Sequence, residues 1–216
     1  MKPKGIVYAL TGEAGGGKTM VCIQVAAEAR ARGLDVAGII TGRSGPEPGA
    51  ARQVIDVRSG ASRLFGARAF DDAGGTRSAG RSSRGAGRNG TRSLGGSGGA
   101  LTDPLTPGWE FESEVFAWGN ASLSTAAPCD LLIVDELGPL ELLGGRGWVR
   151  ALEVLRAGQF GAALVVCRPS LLDELEASLG GPFAGVFTVD PEESYELPDV
   201  ILDKMFGKEQ DRSAGR

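Results

Sequence analysis

Residues 12–19 read Gly-Glu-Ala-Gly-Gly-Gly-Lys-Thr and fit the pattern Gly-x-x-x-x-Gly-Lys-Ser/Thr of a phosphate-binding loop. Residues 5–10 form the short apolar run of a buried strand, and residues 20–32 have the apolar spacing of a helix. Phosphate binding requires the order strand, glycine-rich loop, helix, because the helix then directs its positive N-terminal end at the anion. This context predicts a phosphate-binding loop rather than an accidental Gly-Lys-Thr.

The residue types in this loop explain its chemistry. Glycines allow successive backbone N–H groups to point at one anion. Lys18 is expected to reach the β- and γ-phosphates of a nucleotide, and the Thr19 hydroxyl is expected to bind Mg²⁺. The residues predicted to contact the nucleotide are Gly12, Glu13, Ala14, Gly15, Gly16, Gly17, Lys18, Thr19 and Met20.

A second motif, Asp-Leu-Leu-Ile-Val-Asp-Glu at residues 130–136, resembles a Walker B strand. Mg²⁺ prefers oxygen ligands, so Asp135 is expected to hold the ion together with Thr19. Glu136 is the candidate for preparing the attacking water if the chain turns after Asp135, as the following Gly-Pro at residues 138–139 indicates. The alternative for Glu136 is an exposed loop carboxylate.

Three further charged residues near these motifs have open roles. Arg168 follows a buried strand at residues 162–167, so it is either a catalytic arginine that stabilises the γ-phosphate or part of a salt bridge. Glu141 either orients Glu136, a water or a metal ligand, or lies on the surface. Arg43 follows the second strand, at residues 36–41, and is a weaker candidate for nucleotide contact.

The order of apolar segments predicts an α/β fold in three layers, with a mostly parallel sheet. Residues 52–57 and 61–65 are predicted to form a side hairpin with a Ser-Gly turn. We expect one phosphate-binding domain at residues 1–190, followed at 191–216 by a helix (197–206) and a disordered tail. Ligands in such sheets bind at the carboxyl ends of the strands, where both motifs lie.

Residues 71–107 differ from the rest, because they are rich in Gly, Ser, Ala and Arg and almost lack large apolar side chains. Such a segment cannot bury enough surface to offset its ordering entropy, so it is interpreted as a flexible insertion. An Arg/Gly segment could also contact RNA or another polyanion, but no aromatic residues alternate with the arginines, which favours a solvated linker.

Composition excludes several function classes. The chain has 216 residues, a net charge of −4 and no histidine, which removes His general bases and His metal sites and gives no sign of nucleic-acid binding. Cys22, Cys129 and Cys167 are odd in number and far apart, which predicts free thiols. No apolar run approaches the length of a membrane span or a signal peptide. We therefore expect a cytoplasmic monomer.

Taken together, the loop and the segment Asp-Glu-Leu-Gly-Pro-Leu-Glu at residues 135–141 resemble the cancer-related and thermophile nucleoside-triphosphatase family. The resemblance covers about residues 1–66 and 109–190. It implies a RecA-like sheet and slow Mg²⁺-dependent hydrolysis of several nucleoside triphosphates. It places Lys18 and Thr19 on phosphate and Mg²⁺, places Asp135 and Glu136 at Mg²⁺ and water, and gives Glu141 a reason to lie near them. The sequence departs from the family at residues 42–48 and in the Arg/Gly insertion.

The sequence therefore predicts a nucleoside-triphosphate phosphohydrolase acting on ATP or GTP. One alternative is a nucleotide or small-molecule kinase, in which an acceptor other than water takes the phosphoryl group. Another is a nucleotide-dependent switch or accessory protein, whose output is the binding of a partner. Glu136 favours water activation over a kinase, whereas nothing in the sequence separates a hydrolase from a switch.

Overall fold

The computed structural model describes residues 5–45, 51–68, 100–102, 109–190 and 195–207. Across these ranges one sheet has nine strands. The strands are β1 (Ile6–Thr11), β2 (Val36–Arg43), β3 (Arg52–Asp56), β4 (Ser62–Arg68), β5 (Ala100–Thr102), β6 (Trp109–Glu112), β7 (Cys129–Leu137), β8 (Phe160–Cys167) and β9 (Gly185–Thr188).

Helices alternate with the parallel strands, as the apolar spacing predicts. They are α1 (Lys18–Ala31), α2 (Ser113–Ser124), α3 (Pro139–Leu142), α4 (Val149–Ala157), α5 (Leu172–Leu179) and α6 (Leu197–Phe206). The helical segment after β8 is divided, because a 3-10 turn at Pro169–Leu171 precedes α5. Gly33, with a φ of 76°, directly follows Arg32 at the end of α1, where a left-handed residue commonly ends a helix.

The strand order is β5-β6-β4-β3-β2-β7-β8-β1-β9. The five strands from β2 to β9 in this order pair in parallel. The other four pair antiparallel and continue the same sheet beyond β2. The predicted side hairpin is therefore β3 and β4 at the edge of β2, and β6 and β5 extend it further.

Two apolar cores lie on opposite faces of the sheet, which gives the three predicted layers. On one face α1 and α6 pack against the sheet, with Val25, Ile133 and Ile201 fully buried there. On the other face α2, α4 and α5 cover the sheet, through the buried side chains of Leu123, Leu155 and Leu175. Burial on both faces explains why the parallel strands read as continuous apolar runs.

Several sequence predictions need correction or lie beyond the described ranges. Within the predicted insertion, residues 100–102 form β5 and pair with β6, so at least this part is ordered by the sheet. The remainder of 71–107 lies outside the described residues, as do residues 208–216 of the predicted tail. The terminal helix matches its predicted bounds in α6.

The fold class is confirmed as α/β, with helices on both faces of a sheet whose central strands are parallel. All three cysteines are free thiols, and Cys22 and Cys167 are buried. Among the helices in the described part of the chain, none is long and apolar enough to cross a membrane.

Candidate active site

The predicted site residues emerge from three neighbouring strands. In the sheet β8 lies between β1, which leads into the glycine-rich loop, and β7, which ends with Asp135 and Glu136. Arg168 directly follows β8. The carboxyl ends of parallel strands lie at the same end of the sheet. The loop, both acidic residues and Arg168 therefore converge there.

The loop has the backbone geometry that anion binding requires. Gly15 and Gly17 have φ values of 80° and 94°, which side chains other than glycine rarely adopt. Gly17 is the residue before α1, so the loop ends at the helix N-terminus. The Lys18 Nζ donates hydrogen bonds to the carbonyl oxygens of Gly12 at 2.8 Å and Glu13 at 2.7 Å, and lies over the loop.

Asp135 is buried next to the first turn of α1. Its side chain is 2% exposed and interacts with the Thr19 hydroxyl, which also lies 3.3 Å from the Thr41 carbonyl oxygen. Burial raises the pKa of Asp135 to about 7, whereas the hydrogen bonds from Thr19 and Thr41 act to lower it. A buried carboxylate of this kind favours a cation beside it.

The residues at this point fit a magnesium ion. Asp135 Oδ2 is buried and has no hydrogen-bond partner among the described residues, which leaves a hard oxygen ligand available beside the Thr19 hydroxyl. The described residues contain no cluster of three or more His, Cys, Asp or Glu side chains that could hold a metal. Mg²⁺ does not need one, since it is usually held by one or two protein groups, substrate phosphates and water.

Glu136 and Arg168 form a partly exposed ion pair at the ends of β7 and β8. Arg168 Nε lies 3.0 Å from Glu136 Oε1, and the two side chains are 56% (Arg168) and 28% (Glu136) exposed. The β7–β8 register shifts between Val134 and Leu137, so the strand is irregular where Glu136 leaves it. The Asp135–Glu136 peptide bond is cis. The sequence allowed two roles for Arg168, a catalytic arginine or part of a salt bridge. The salt bridge is present, and its partner is Glu136, the residue predicted to prepare the water.

Glu141 is a buried capping residue, so the surface alternative was wrong. Its Oε2 accepts a hydrogen bond from the Gly138 N–H and its Oε1 accepts one from the Trp148 N–H, both at 2.9 Å. Burial raises the pKa of Glu141 to about 7, and the two N–H groups act to lower it. Glu141 thereby ties the turn after Glu136 to the start of α4.

Asn120 holds the same loop from α2, and sequence reasoning missed it. Its Oδ1 accepts a hydrogen bond from the Arg150 N–H in the first turn of α4 at 3.0 Å. Its Nδ2 donates to the Gly147 carbonyl oxygen at 2.9 Å. The cap comes from another helix, so no local sequence pattern at residue 148 could have revealed it.

Arg52 was also missed, and its charge acts on the site. It lies at the start of β3, directly opposite Arg43 of β2 in the antiparallel register. The positive charge of Arg52 contributes to lowering the pKa of Asp135 against the effect of burial. Arg43 itself is exposed at the end of β2, and Met20 is exposed in the first turn of α1.

Two solved structures share this fold across almost the whole chain. One is THEP1 from the hyperthermophile Aquifex aeolicus, with a TM-score of 0.60 and 16% identity over 93% of this chain and 99% of that chain. The other is a human cancer-related nucleoside triphosphatase, with a TM-score of 0.56 and 18% identity over 99% of both chains. No protein-family model and no curated protein sequence matches the chain. Both structures are of the kind that the sequence resembles, and at these identities the likeness establishes the fold.

Proposed function

We propose that this chain hydrolyses Mg²⁺-bound nucleoside triphosphates to the diphosphate and phosphate, with ATP or GTP as substrate. The observation that carries the proposal is the convergence of three features at one edge of the sheet. They are a glycine-rich loop at a helix N-terminus, buried Asp135 beside Thr19, and the Glu136–Arg168 pair. The names of the two structural neighbours support the same reaction class.

The loop binds and orients the triphosphate. Backbone N–H groups of residues 12–17 and the N-terminal end of α1 provide donors for the phosphate oxygens. Lys18 exchanges its contacts with the Gly12 and Glu13 carbonyl oxygens for the β- and γ-phosphates, since a phosphate is the stronger acceptor for an ammonium group.

Asp135 and Thr19 are the residues that would hold Mg²⁺. Held there, the ion would neutralise negative charge on the triphosphate. With the ion in place Asp135 is ionised, because a neighbouring cation favours the charged form of a buried carboxyl. Beside them the Arg52 charge adds to the positive potential of the site.

Glu136 prepares the water. The water oxygen forms a bond to the γ-phosphorus as the bond from that phosphorus to the β–γ bridging oxygen breaks, and the electron pair of the broken bond stays on the β-phosphate. The proton of the water goes to the carboxylate of Glu136. Arg168 stabilises the negative charge on the transferring group, as a catalytic arginine in the same chain.

The test is phosphate release from Mg·ATP and Mg·GTP by the full chain, beside Glu136→Gln and Lys18→Ala. We expect Glu136→Gln to lower kcat by about 100-fold or more while nucleotide still binds, because it removes a proton acceptor needed only in the reaction. Lys18→Ala should weaken binding as well, because its ammonium group contacts the phosphates. Omission of Mg²⁺ should abolish release.

A panel of phosphate acceptors run in parallel separates the competing functions. Release that requires an acceptor would replace the hydrolase with a kinase. Release that is unaffected by Glu136→Gln would contradict the role of Glu136. Slow release that rises strongly with a protein or RNA partner would instead favour a nucleotide-dependent switch.

A further inference from the structure

The contact between Glu136 and Arg168 joins two residues that are expected to work on different reactants. Arg168 Nε donates to Glu136 Oε1 at 3.0 Å, although 32 residues separate the two along the chain. The carboxylate is the candidate acceptor for the water proton, and the guanidinium is the candidate for the γ-phosphate. While they bind each other, neither group is fully available to its reactant.

The position of β8 places Arg168 between the strands that carry its two proposed partners. Arg168 leaves the end of β8, whose neighbours in the sheet are β7 with Glu136 on one side and β1 with the glycine-rich loop on the other. Its backbone is extended, and Pro169 follows at once to begin a 3-10 turn. The sheet thus fixes the backbone position, whereas the side chain is 56% exposed and is not enclosed by packing.

The energetics favour exchange rather than a permanent pair. A partly exposed ion pair adds little stability, so a competing anion has little to overcome. The contact with Glu136 uses Nε, whereas a terminal phosphate presents three acceptor oxygens and about two negative charges to the fork of a guanidinium. A triphosphate in the loop is therefore the stronger partner for Arg168.

We propose that Arg168 is the residue that distinguishes triphosphates from diphosphates. It exchanges Glu136 for the terminal phosphate when a triphosphate occupies the loop, and this exchange frees Glu136 to accept the proton of the water. A diphosphate lacks the group that attracts Arg168, so the Glu136–Arg168 pair persists, and it forms again once the phosphate has left. The inference rests on the proposed function, because it assigns the phosphate-binding loop to a nucleoside triphosphate.

The first test measures binding, which needs no turnover. The full chain is titrated with the Mg²⁺ complexes of the β,γ-imido analogues of ATP and GTP, and with those of ADP and GDP. Arg168→Ala should weaken binding of the preferred triphosphate analogue by about 10- to 100-fold, the range expected for a hydrogen bond to a charged group. Binding of the diphosphate should change by less than about threefold, so the preference for triphosphate falls.

Two further variants separate the role of Arg168 from a loss of fold or of general charge. Arg168→Lys keeps the charge without the two-pronged geometry, so it should restore only part of the preference. Arg150→Ala is the matched control, because Arg150 is 52% exposed and pairs with Glu153 on the surface of α4. It should leave the ratio of triphosphate to diphosphate affinity unchanged.

A double-mutant cycle tests the exchange itself. Glu136→Gln removes the competing carboxylate, so it should strengthen binding of the triphosphate analogue in the otherwise unaltered chain. In the Arg168→Ala background the same substitution should strengthen it less, because no guanidinium remains to be released. Additive effects, or an Arg168→Ala variant that keeps its preference for triphosphate, would overturn the exchange.

Phosphate release measured on the same variants keeps the two proposals separate. Hydrolysis by a chain whose preference does not depend on Arg168 overturns the inference and leaves the proposed function intact. A preference that depends on Arg168 in a chain that releases no phosphate overturns the hydrolase and the role of freed Glu136 in it, and leaves intact the assignment of Arg168 to the discrimination of triphosphate from diphosphate. Failure of every nucleotide to bind would overturn both.

Discussion

At the scale of single residues, two buried carboxyl groups dominate the site, and their surroundings differ. Asp135 lies beside the Thr19 hydroxyl and has one oxygen without a hydrogen-bond partner among the described residues, which suits a metal ligand. Glu141 has both oxygens occupied by backbone N–H groups, which suits a structural role. Burial raises both pKa values to about 7, so the hydrogen-bond partners, and not the pKa values, separate the two roles.

The raised pKa of Glu141 predicts a pH dependence of stability. Its pKa is about 7 in the fold against 4.5 ordinarily, so between these pH values the native state holds more protons than the unfolded state. The stabilisation is complete below about pH 4.5 and is lost as the pH rises through 7, by up to about 3 kcal/mol. We expect urea denaturation to show a larger loss in the unaltered chain than in Glu141→Gln, because the variant keeps only the contribution of Asp135, whose pKa is also raised to about 7.

The comparison with Glu141→Gln also isolates Glu141 from Asp135, which is common to both proteins. The stability of the unaltered chain relative to the variant should be greatest at acid pH and should shrink towards pH 8. A difference that grows with pH would show that the two N–H groups hold the carboxylate ionised against the effect of burial.

A second prediction at this scale concerns Gly38 in the middle of β2. Its φ is 116°, and a Cβ placed on it would lie 1.9 Å from the Ile133 carbonyl oxygen of the neighbouring strand. Gly38→Ala should therefore cost more than about 3 kcal/mol or prevent folding, because backbone atoms must move. Gly42→Ala, in the same strand, is the control, since its Cβ would lie 3.9 Å from the Thr19 side chain. Similar stabilities for both variants would contradict this account.

At the scale of elements, the sequence predicted the helices, strands and loops whose signals come from residues close together in the chain. The phosphate-binding loop, α1, β7 and α6 were read from the sequence because their apolar runs, glycines and acidic ends lie within a few residues of each other. The strands β5 and β6 were missed. They are short, and they form by pairing with β4 and with each other. Pairing between distant residues leaves no such local signal.

The same reason explains which parts of the site the sequence could not predict. Asp135 and Glu136 follow from one motif, but the Glu136–Arg168 pair depends on β7 and β8 being neighbours in the sheet. Glu141 is buried because the start of α4 contacts α3, where the Trp148 N–H donates to Glu141. The cap from Asn120 depends on the packing of α2 against α4. Each is a tertiary contact.

The cap from Asn120 provides a prediction at the element scale. Asn120→Ala leaves the Arg150 N–H and the Gly147 carbonyl oxygen without their partner, so it should cost about 1–2 kcal/mol in urea denaturation. Asn120→Asp is the matched variant, because it keeps the acceptor for Arg150 and loses the donor to Gly147. It should be intermediate, and equal losses for both variants would show that the acceptor contributes nothing.

At the scale of the whole molecule, one cation connects the C-terminal helix to the helix that follows the phosphate-binding loop. Arg32, at the end of α1, is 10% exposed and contacts Glu28 at 3.1 Å, Asp199 at 2.8 Å and Asp203 at 2.9 Å. Asp199 and Asp203 lie on α6, whose Ile201 and Leu202 are fully buried in the core on the α1 side. The last described helix therefore completes the layer that supports the loop.

Loss of the contacts of Arg32 should destabilise the fold, although Arg32 does not contact the site directly. Arg32→Ala should lower the free energy of unfolding by about 1–3 kcal/mol. The loss is limited because all three of its acidic partners are partly exposed and can be hydrated. Asp199→Ala is the milder control, since its carboxylate is more exposed than that of Asp203. Denaturation at low and high salt measures the effect, and an Arg32→Ala variant as stable as the unaltered chain at low salt would contradict it.

The sheet order described above also makes the chain a practical host for an added protein. The polypeptide leaves the described sheet at Arg68 on β4 and rejoins it at Ala100 on β5, and both strands pair with β6 at the edge opposite β9. Five strand spacings, or roughly 24 Å, separate β4 from the strand that leads into the phosphate-binding loop. A fluorescent reporter that replaces residues 71–99 would therefore be attached five strands away from the strand that leads into this loop, although β4 itself pairs with β3 at Arg52.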